Sequence, residues 1–391
     1  MRDNSWKSPR YRRVACILIL FTTVLFFTNG SAEDAGQDEA FVDAWQAYSE
    51  AVESGRASRI LKTSQAVAEI AGQLLPETDP RLAKILQNYG VALRRGKKQG
   101  EAREVLGRSV QLMENIHGRD SIELVPVIAD LADAYSRVGS SDQQLDHYRR
   151  AMRIVGKQKN KQSLEYADIA FRAATSTFTL SRSLAGRRYL RDAQEIYQVQ
   201  LDVGDQRLGL TSFFLGKMAL AERNTKQATA HLEEALTSFG GGSGRARQSR
   251  LATHALLVQV YEGRGESDLA TAHSIAIGRE TPSGPDEDYQ PIFRQSPKYP
   301  SAMRRRGIEG FVDVEFTVNE SGFTENARVI RAVTSDPQRA EKALASDDVN
   351  ESFSVAALAA VKGFRYAPRF ESGVAVPAEN VKARVSFKLV K

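Results

Sequence analysis

The spacing of apolar residues divides this chain of 391 residues into stretches of different period. Across 39–280 the pattern is helical and self-similar, with a step of 42 residues. Gly90, Ala132, Ala174 and Gly216 fall on one such series, and Ala102, Gln144, Gly186 and Ala228 follow twelve residues behind. Larger residues then recur at Leu106, Tyr148, Leu190 and Leu232, followed by Ser109, Ala151, Ala193 and Ala235. Small residues at a fixed step let helices cross closely, and the larger ones fill the space between them, so a stack of helical hairpins is expected. Segments 76–80, 117–120 and 240–244 punctuate the units, a further unit fits 251–277, and the poorly fitting stretch 45–71 suits a terminal cap.

Beyond residue 289 the period changes. Pro300 is placed at a first helical position and Gly307 at a left-handed C-cap, which predicts a helix of about two turns. Val312, Val314, Phe316 and Val318 then alternate with Asp313, Glu315 and Thr317, the mark of a half-buried strand. Asn319 to Gly322 supply turn chemistry and predict a hairpin partner around 327–330. Phe353, Ala357, Ala360, Val361 and Phe364 return to helical spacing, with Pro368 as a stop. Val381, Ala383, Val385, Phe387 and Leu389 alternate with Lys382, Arg384, Ser386 and Lys388 and predict a closing strand over 381–389.

The C-terminal order of helix, strand, strand, helix, strand resembles the C-terminal domain of TonB-type energy transducers. The residues that carry the resemblance are Pro297-Lys298-Tyr299-Pro300, the pair Gly307 and Gly310, the alternating strand, and Phe364-Arg365-Tyr366-Ala367-Pro368. Ser296 stands where TonB has a glutamine, and the connection 334–351 is longer than is usual in the family. The repeats resemble tetratricopeptide repeats (TPR) in the longer spacing of kinesin light chains. The expected fold is therefore an all-α TPR-like solenoid over 39–280 followed, after a linker at 281–288, by a small α+β TonB-like domain with an antiparallel sheet over 289–391. The repeat region is expected to fold without the last domain. In TonB relatives the last strand offers a free edge to an extended segment of an outer-membrane transporter. The resemblance thus implies Ser296, Pro297, Tyr299 and Pro300 at the helix start, and Lys382, Arg384, Ser386 and Lys388 on the last strand, as partner-binding residues. The three cations on that strand suit either of two readings, a complement to an acidic partner segment or a guard against unwanted edge pairing.

Arg2, Lys7, Arg10, Arg12 and Arg13 precede an apolar run over 14–27 and small residues to Ala32, the layout of an export signal or signal anchor over 1–32. The run is shorter than the ~20 residues of a spanning helix, which favours cleavage and a periplasmic chain over anchoring in the inner membrane. Cys16, the single cysteine, lies inside that segment, so no disulfide or thiolate metal site is expected in the mature chain. The formal charge of +6 is mostly that segment's; about +2 remains without it. Export and the lack of interleaved aromatics argue against nucleic acid as the partner of Arg304, Arg305 and Arg306, which suit a solvated helix face.

No catalytic, cofactor or metal motif stands out. His117, His147, His231, His254 and His273 lack metal-ligand spacing, the glycines of 240–244 lack the lysine of a phosphate loop, and Glu233 and Glu234 suit surface charges. An enzyme is not expected. Three functions remain: a transducer coupling an ExbB-ExbD motor to a transporter, which needs a retained membrane helix; a periplasmic adaptor with a second partner in its repeat groove; and a scaffold whose last domain is an end-piece. No histidine lies in the run 14–27, whereas TonB's membrane helix carries one.

Overall fold

A computed structural model of the chain describes residues 32–136, 141–177, 184–240, 244–281, 289–335 and 347–389. The 1–31 segment, the stretch 282–288 and most of the long connection 334–351 lie outside these residues. Twelve helices come first: α1 (Ala32–Ser54), α2 (Ala57–Leu74), α3 (Pro80–Arg95), α4 (Gln99–His117), α5 (Val125–Ala134), α6 (Ser141–Gln158), α7 (Leu164–Thr177), α8 (Leu184–Gln200), α9 (Gln206–Ala221), α10 (Thr225–Phe239), α11 (Arg245–Arg264) and α12 (Ser267–Glu280). The chain forms two compact units that divide within α7, between Ile169 and Ala170.

Repetition is written into the helix starts. A 3-10 turn at Ile122–Leu124 precedes α5, so hairpins begin at Pro80, Ile122, Leu164 and Gln206, each 42 residues after the last. The residue before each start is a capping side chain at the same step. Asp79 accepts from the Arg81 amide at 2.8 Å, Ser121 from Glu123 at 3.3 Å, Ser163 from Tyr166 at 3.2 Å and Asp205 from Arg207 at 2.9 Å. Each satisfies an amide that a helix N-terminus leaves without a partner.

In the first unit, Leu106 of α4 fills the space opened by Gly90 of α3, where a Cβ would stand 2.5 Å from the leucine Cγ. Tyr148 of α6 is wholly buried and donates to Asp133 of α5. Gln144 occupies the small-residue position of its repeat and is also fully buried, with neither amide atom hydrogen-bonded. In the second unit Leu232 of α10 meets Gly216 of α9 in the same way, a Cβ there standing 2.7 Å from the leucine Cγ. The small-against-large reading of the period is therefore what the helix crossings require.

The remaining elements are α13 (Ser301–Arg305), β1 (Glu309–Val318), β2 (Thr324–Ser335), α14 (Asp347–Val361), β3 (Arg369–Glu371), β4 (Val374–Val376) and β5 (Ala378–Phe387). The antiparallel sheet runs β2–β1–β5, and Val312, Val314, Phe316, Val318, Val381, Val385 and Phe387 point into one core with Phe353, Ala357 and Val361 of α14. Four details differ from expectation. Pro300 is the N-cap and not the first helical residue, which leaves α13 five residues long, with Gly307 at φ 67 as the expected left-handed cap. The Ile308 amide reaches back to the Met303 carbonyl at 3.1 Å, completing a Schellman cap. Phe364 lies past the end of α14 yet is buried. A short hairpin, β3–β4, precedes the last strand and turns at Ser372 and Gly373, both at positive φ, which is the geometry a two-residue turn needs. The last strand begins at Ala378 and ends at Phe387.

Candidate partner-binding edge

The sheet has two outer strands, and their regularity differs. On the β2 side of β1 the register shifts twice, between Asp313 and Val314 and between Glu315 and Thr317, and Asn326 takes a positive φ of 52°. Bulges twist an edge away from further pairing. On the other side, β5 stays in register with β1 through seven consecutive pairs, from Gly310 opposite Phe387 to Phe316 opposite Val381; its one shift, between Phe316 and Val318, and its positive-φ residue, Asn380 at 57°, are confined to the strand's start. Gly310 itself has no room for a side chain, since a Cβ would sit 2.4 Å from the Val333 carbonyl oxygen. Among the described residues, β5 pairs with β1 alone.

The polar side chains of β5 stand on the open face of the sheet, as the pleat dictates. Arg384 lies over the Phe311 ring, 3.9 Å from its centroid, and donates to both Asp313 oxygens at 2.7 and 3.0 Å. That guanidinium holds the Asp313 carboxyl below its usual range. Lys382 comes to 4.0 Å of Glu315, which also receives the Arg328 guanidinium from β2. Ser386 and Lys388 are exposed. Both cations of β5 thus lie against acids of β1 across the sheet face, and Lys388 falls just past the strand's end.

At the helix start, Tyr299 is half-buried and donates to the Ile308 carbonyl at 2.5 Å, while its ring meets Phe353 and Phe387 edge-on at 5.7 Å. Pro297 and Pro300 are half-buried beside it and Ser296 is exposed. Tyr299 therefore ties α13 to the end of β5, and the two groups of sequence-marked residues meet through the contact of Tyr299 with Phe387.

Two charged features read differently from their sequence appearance. Glu233 accepts from the Tyr261 hydroxyl at 3.1 Å and faces His273 Nε2 at 3.2 Å; Glu234 accepts from Gln194 and Gln198 of α8 at 3.2 and 3.0 Å. They join helices and are not free surface charges; hydrogen bonds, the His231 contact first, lower the Glu234 pKa. The histidines are not all scattered either: His254 and His273 bring their Nδ1 atoms to 2.9 Å, and burial and then His273 press the His254 pKa down to about 4. Their spacing in sequence gave no sign of this, because they sit on different helices.

Residues 295–346 match the family model of the Gram-negative bacterial TonB protein C-terminal. The chain carries a TonB C-terminal domain. Ahead of it, the hairpins form a TPR-like array. RapI in its apo form is similar over 70% of this chain and 73% of its own, at 13% identity and a TM-score of 0.50. That likeness shows the helical fold alone. A putative kinesin light chain with nearly identical TPR-like repeats from Podosopora anserina is similar over 51% of this chain and 93% of its own, at 15% identity and a TM-score of 0.44. Among curated proteins, the RxLR effector protein SFI4 of Phytophthora infestans (strain T30-4) is 29% identical over 150 residues, which is 38% of this chain and 41% of that protein. The chain thus spans about two fifths of the length of the curated relatives it matches. The family match begins one residue before Ser296 and ends ahead of β5, so the TonB domain is identified by its helix start and first hairpin.

Proposed function

We propose that this protein is a periplasmic TonB-family binding protein whose β5 edge takes up an extended segment of an outer-membrane transporter as an added strand. The observation that carries the reading is the single register of β5 on β1 over seven consecutive pairs, with one shift at its start between Phe316 and Val318, beside an opposite edge interrupted twice along its length. Strand addition draws its affinity from main-chain hydrogen bonds, so a regular edge is the requirement and no catalytic group takes part. The TPR-like hairpins hold a second protein, and the pair of sites supports transport across the outer membrane. Coupling to an ExbB-ExbD motor belongs to this reading only with the segment 1–32 retained as an anchor in the inner membrane.

A second reading, a periplasmic adaptor without energy transduction, is favoured by one observation: the apolar run 14–27 is shorter than the ~20 residues of a membrane span and contains no histidine. None of the described helices is long and apolar enough to cross a membrane, and the run itself lies outside them.

A photo-crosslinking residue at Ser386 or Lys388, in the full chain in Gram-negative cells, tests the edge. Crosslinks to the periplasmic segment of an outer-membrane barrel protein are expected, and their absence at both positions, with crosslinks forming at a control site on β2, would overturn the assignment. Reading the mature N-terminus separates the two versions: an intact Met1 in the inner membrane keeps the motor, and a start near Glu33 in the periplasm leaves the adaptor.

A further inference from the structure

Within the aromatic-Arg-aromatic motif after α14, Phe364 and Tyr366 stay in the core beneath the sheet while Arg365 turns the other way, into the last helical hairpin, and this does not depend on the edge capturing a partner. Arg365 is 1% exposed. Its Nε donates to Glu262 of α11, and its Nη2 donates to the Ser267 carbonyl at 2.9 Å and the Thr271 hydroxyl at 2.8 Å, both on α12. The guanidinium plane covers the Phe323 ring, 3.2 Å from its centroid. A flat cation with donors around its rim can stack on a ring and bond sideways at once, which an ammonium group cannot do. The backbone is held as firmly: the Arg365 amide donates to the Phe293 carbonyl at 3.0 Å and its carbonyl accepts from Ile292 at 2.7 Å.

The hairpin is shaped to receive this. Gly278 of α12 has no space for a Cβ, which would stand 2.3 Å from the Pro368 carbonyl oxygen. Ile292 and Phe293 pack against the cluster of Leu257, Val258 and Tyr261 on α11, and Arg279 lies over the Phe370 ring at 5.8 Å. Terminal units of repeat arrays have one face without a neighbour, and that face must be covered.

We infer that the TonB-like domain is the C-terminal cap of the repeat array, seated on the α11–α12 hairpin by the Arg365 plug and by the glycine-cleared contact at Gly278. The partner that fits this surface is the chain's own last domain, and α11–α12 depends on it for protection from solvent. Independent folding of the repeat region then applies to its earlier hairpins.

Hydrogen exchange on the full chain tests this with two variants on opposite sides of the contact. Gly278→Leu leaves Arg365 and its own domain unaltered, and Arg365→Ala leaves α11–α12 unaltered. In each, the amides of α11 and α12 are expected to exchange at least about tenfold faster than in the parent. Unchanged exchange of α11–α12 in both variants, whether or not the sheet itself loosens, would overturn the inference.

Discussion

Replacing Glu262 by glutamine keeps the side chain's length and removes its charge, leaving the Arg365 cation in a site 1% exposed. The Glu262 carboxylate is itself only 11% exposed, receives Arg365 Nε and accepts from the Ser267 hydroxyl at 3.2 Å. Breaking a buried pair by removing one charge costs about 3–5 kcal/mol, against ~0–1 kcal/mol for an exposed pair. Glutamine retains one acceptor for Arg365, and the Thr271 hydroxyl and Ser267 carbonyl remain, so the low end, about 3 kcal/mol, is expected for Glu262→Gln. Arg365→Met removes the cation as well as the plug. In the double variant no buried charge is left without a partner, and the two changes should cost less together than their sum by about 2 kcal/mol. The assay is the free energy of opening of α12 amides by native-state exchange, measured for all four proteins at low and high salt. A Glu262→Gln cost below about 1 kcal/mol, or one that disappears in high salt, would refute the reasoning, because it would place the pair in contact with water.

Three further outcomes follow from the same structure. Gln144→Leu removes two buried amide atoms without partners while nearly keeping volume, so a gain of about 1–3 kcal/mol in the first unit is expected by chemical denaturation; a loss would mean the amide is satisfied through a bound water. Asp205→Ala removes the cap of α9, and about 1 kcal/mol should be lost, with exchange rising first at the amide of Arg207 and not at those of α3. His254 is neutral in the fold, its pKa near 4, while the unfolded chain takes the proton near 6.5. Its contribution is complete above pH 6.5 and falls away as the pH drops toward 4, so the second unit should weaken over that window, and His254→Gln should flatten the profile.

What the sequence made legible was whatever repeats along one dimension. Gly90 with Leu106 and Gly216 with Leu232 could be read because the period carries both members of each pair. The alternation of β1 could be read because Val312, Val314, Phe316 and Val318 all meet one core. The capping series at Asp79, Ser121, Ser163 and Asp205 has the same period and was available to the same reasoning. The illegible part was whatever depends on register or on residues distant in the chain. Arg365 meets Glu262 and Thr271 from about a hundred residues away, and nothing local to either marks the other. Glu233, His254 and His273 converge from three helices. The cations of β5 meet the acids of β1 only because Lys382 falls opposite Glu315 and Arg384 opposite Asp313.

That last pairing bears on how a partner would be chosen. Arg384 and Lys382 face acids that already lie within the sheet, so the charge an added strand would meet is partly neutralised before it arrives. Attraction for an acidic segment is then a weak selector, and exposed pairs of this kind contribute little in any case. A guard against chance pairing works best with side chains left unpaired in water, and Arg384 is held flat on Phe311 instead. Both readings of these cations lose ground to a third, in which Arg384 is laid along β1 on Phe311 and Asp313 across the open face while the core side chains hold β5 from beneath. An edge fixed on both faces presents its main-chain groups in one geometry. Selection by such an edge falls on the backbone conformation of the partner and on the shape of its alternate side chains, and an extended segment without charge should be accepted as readily as an acidic one.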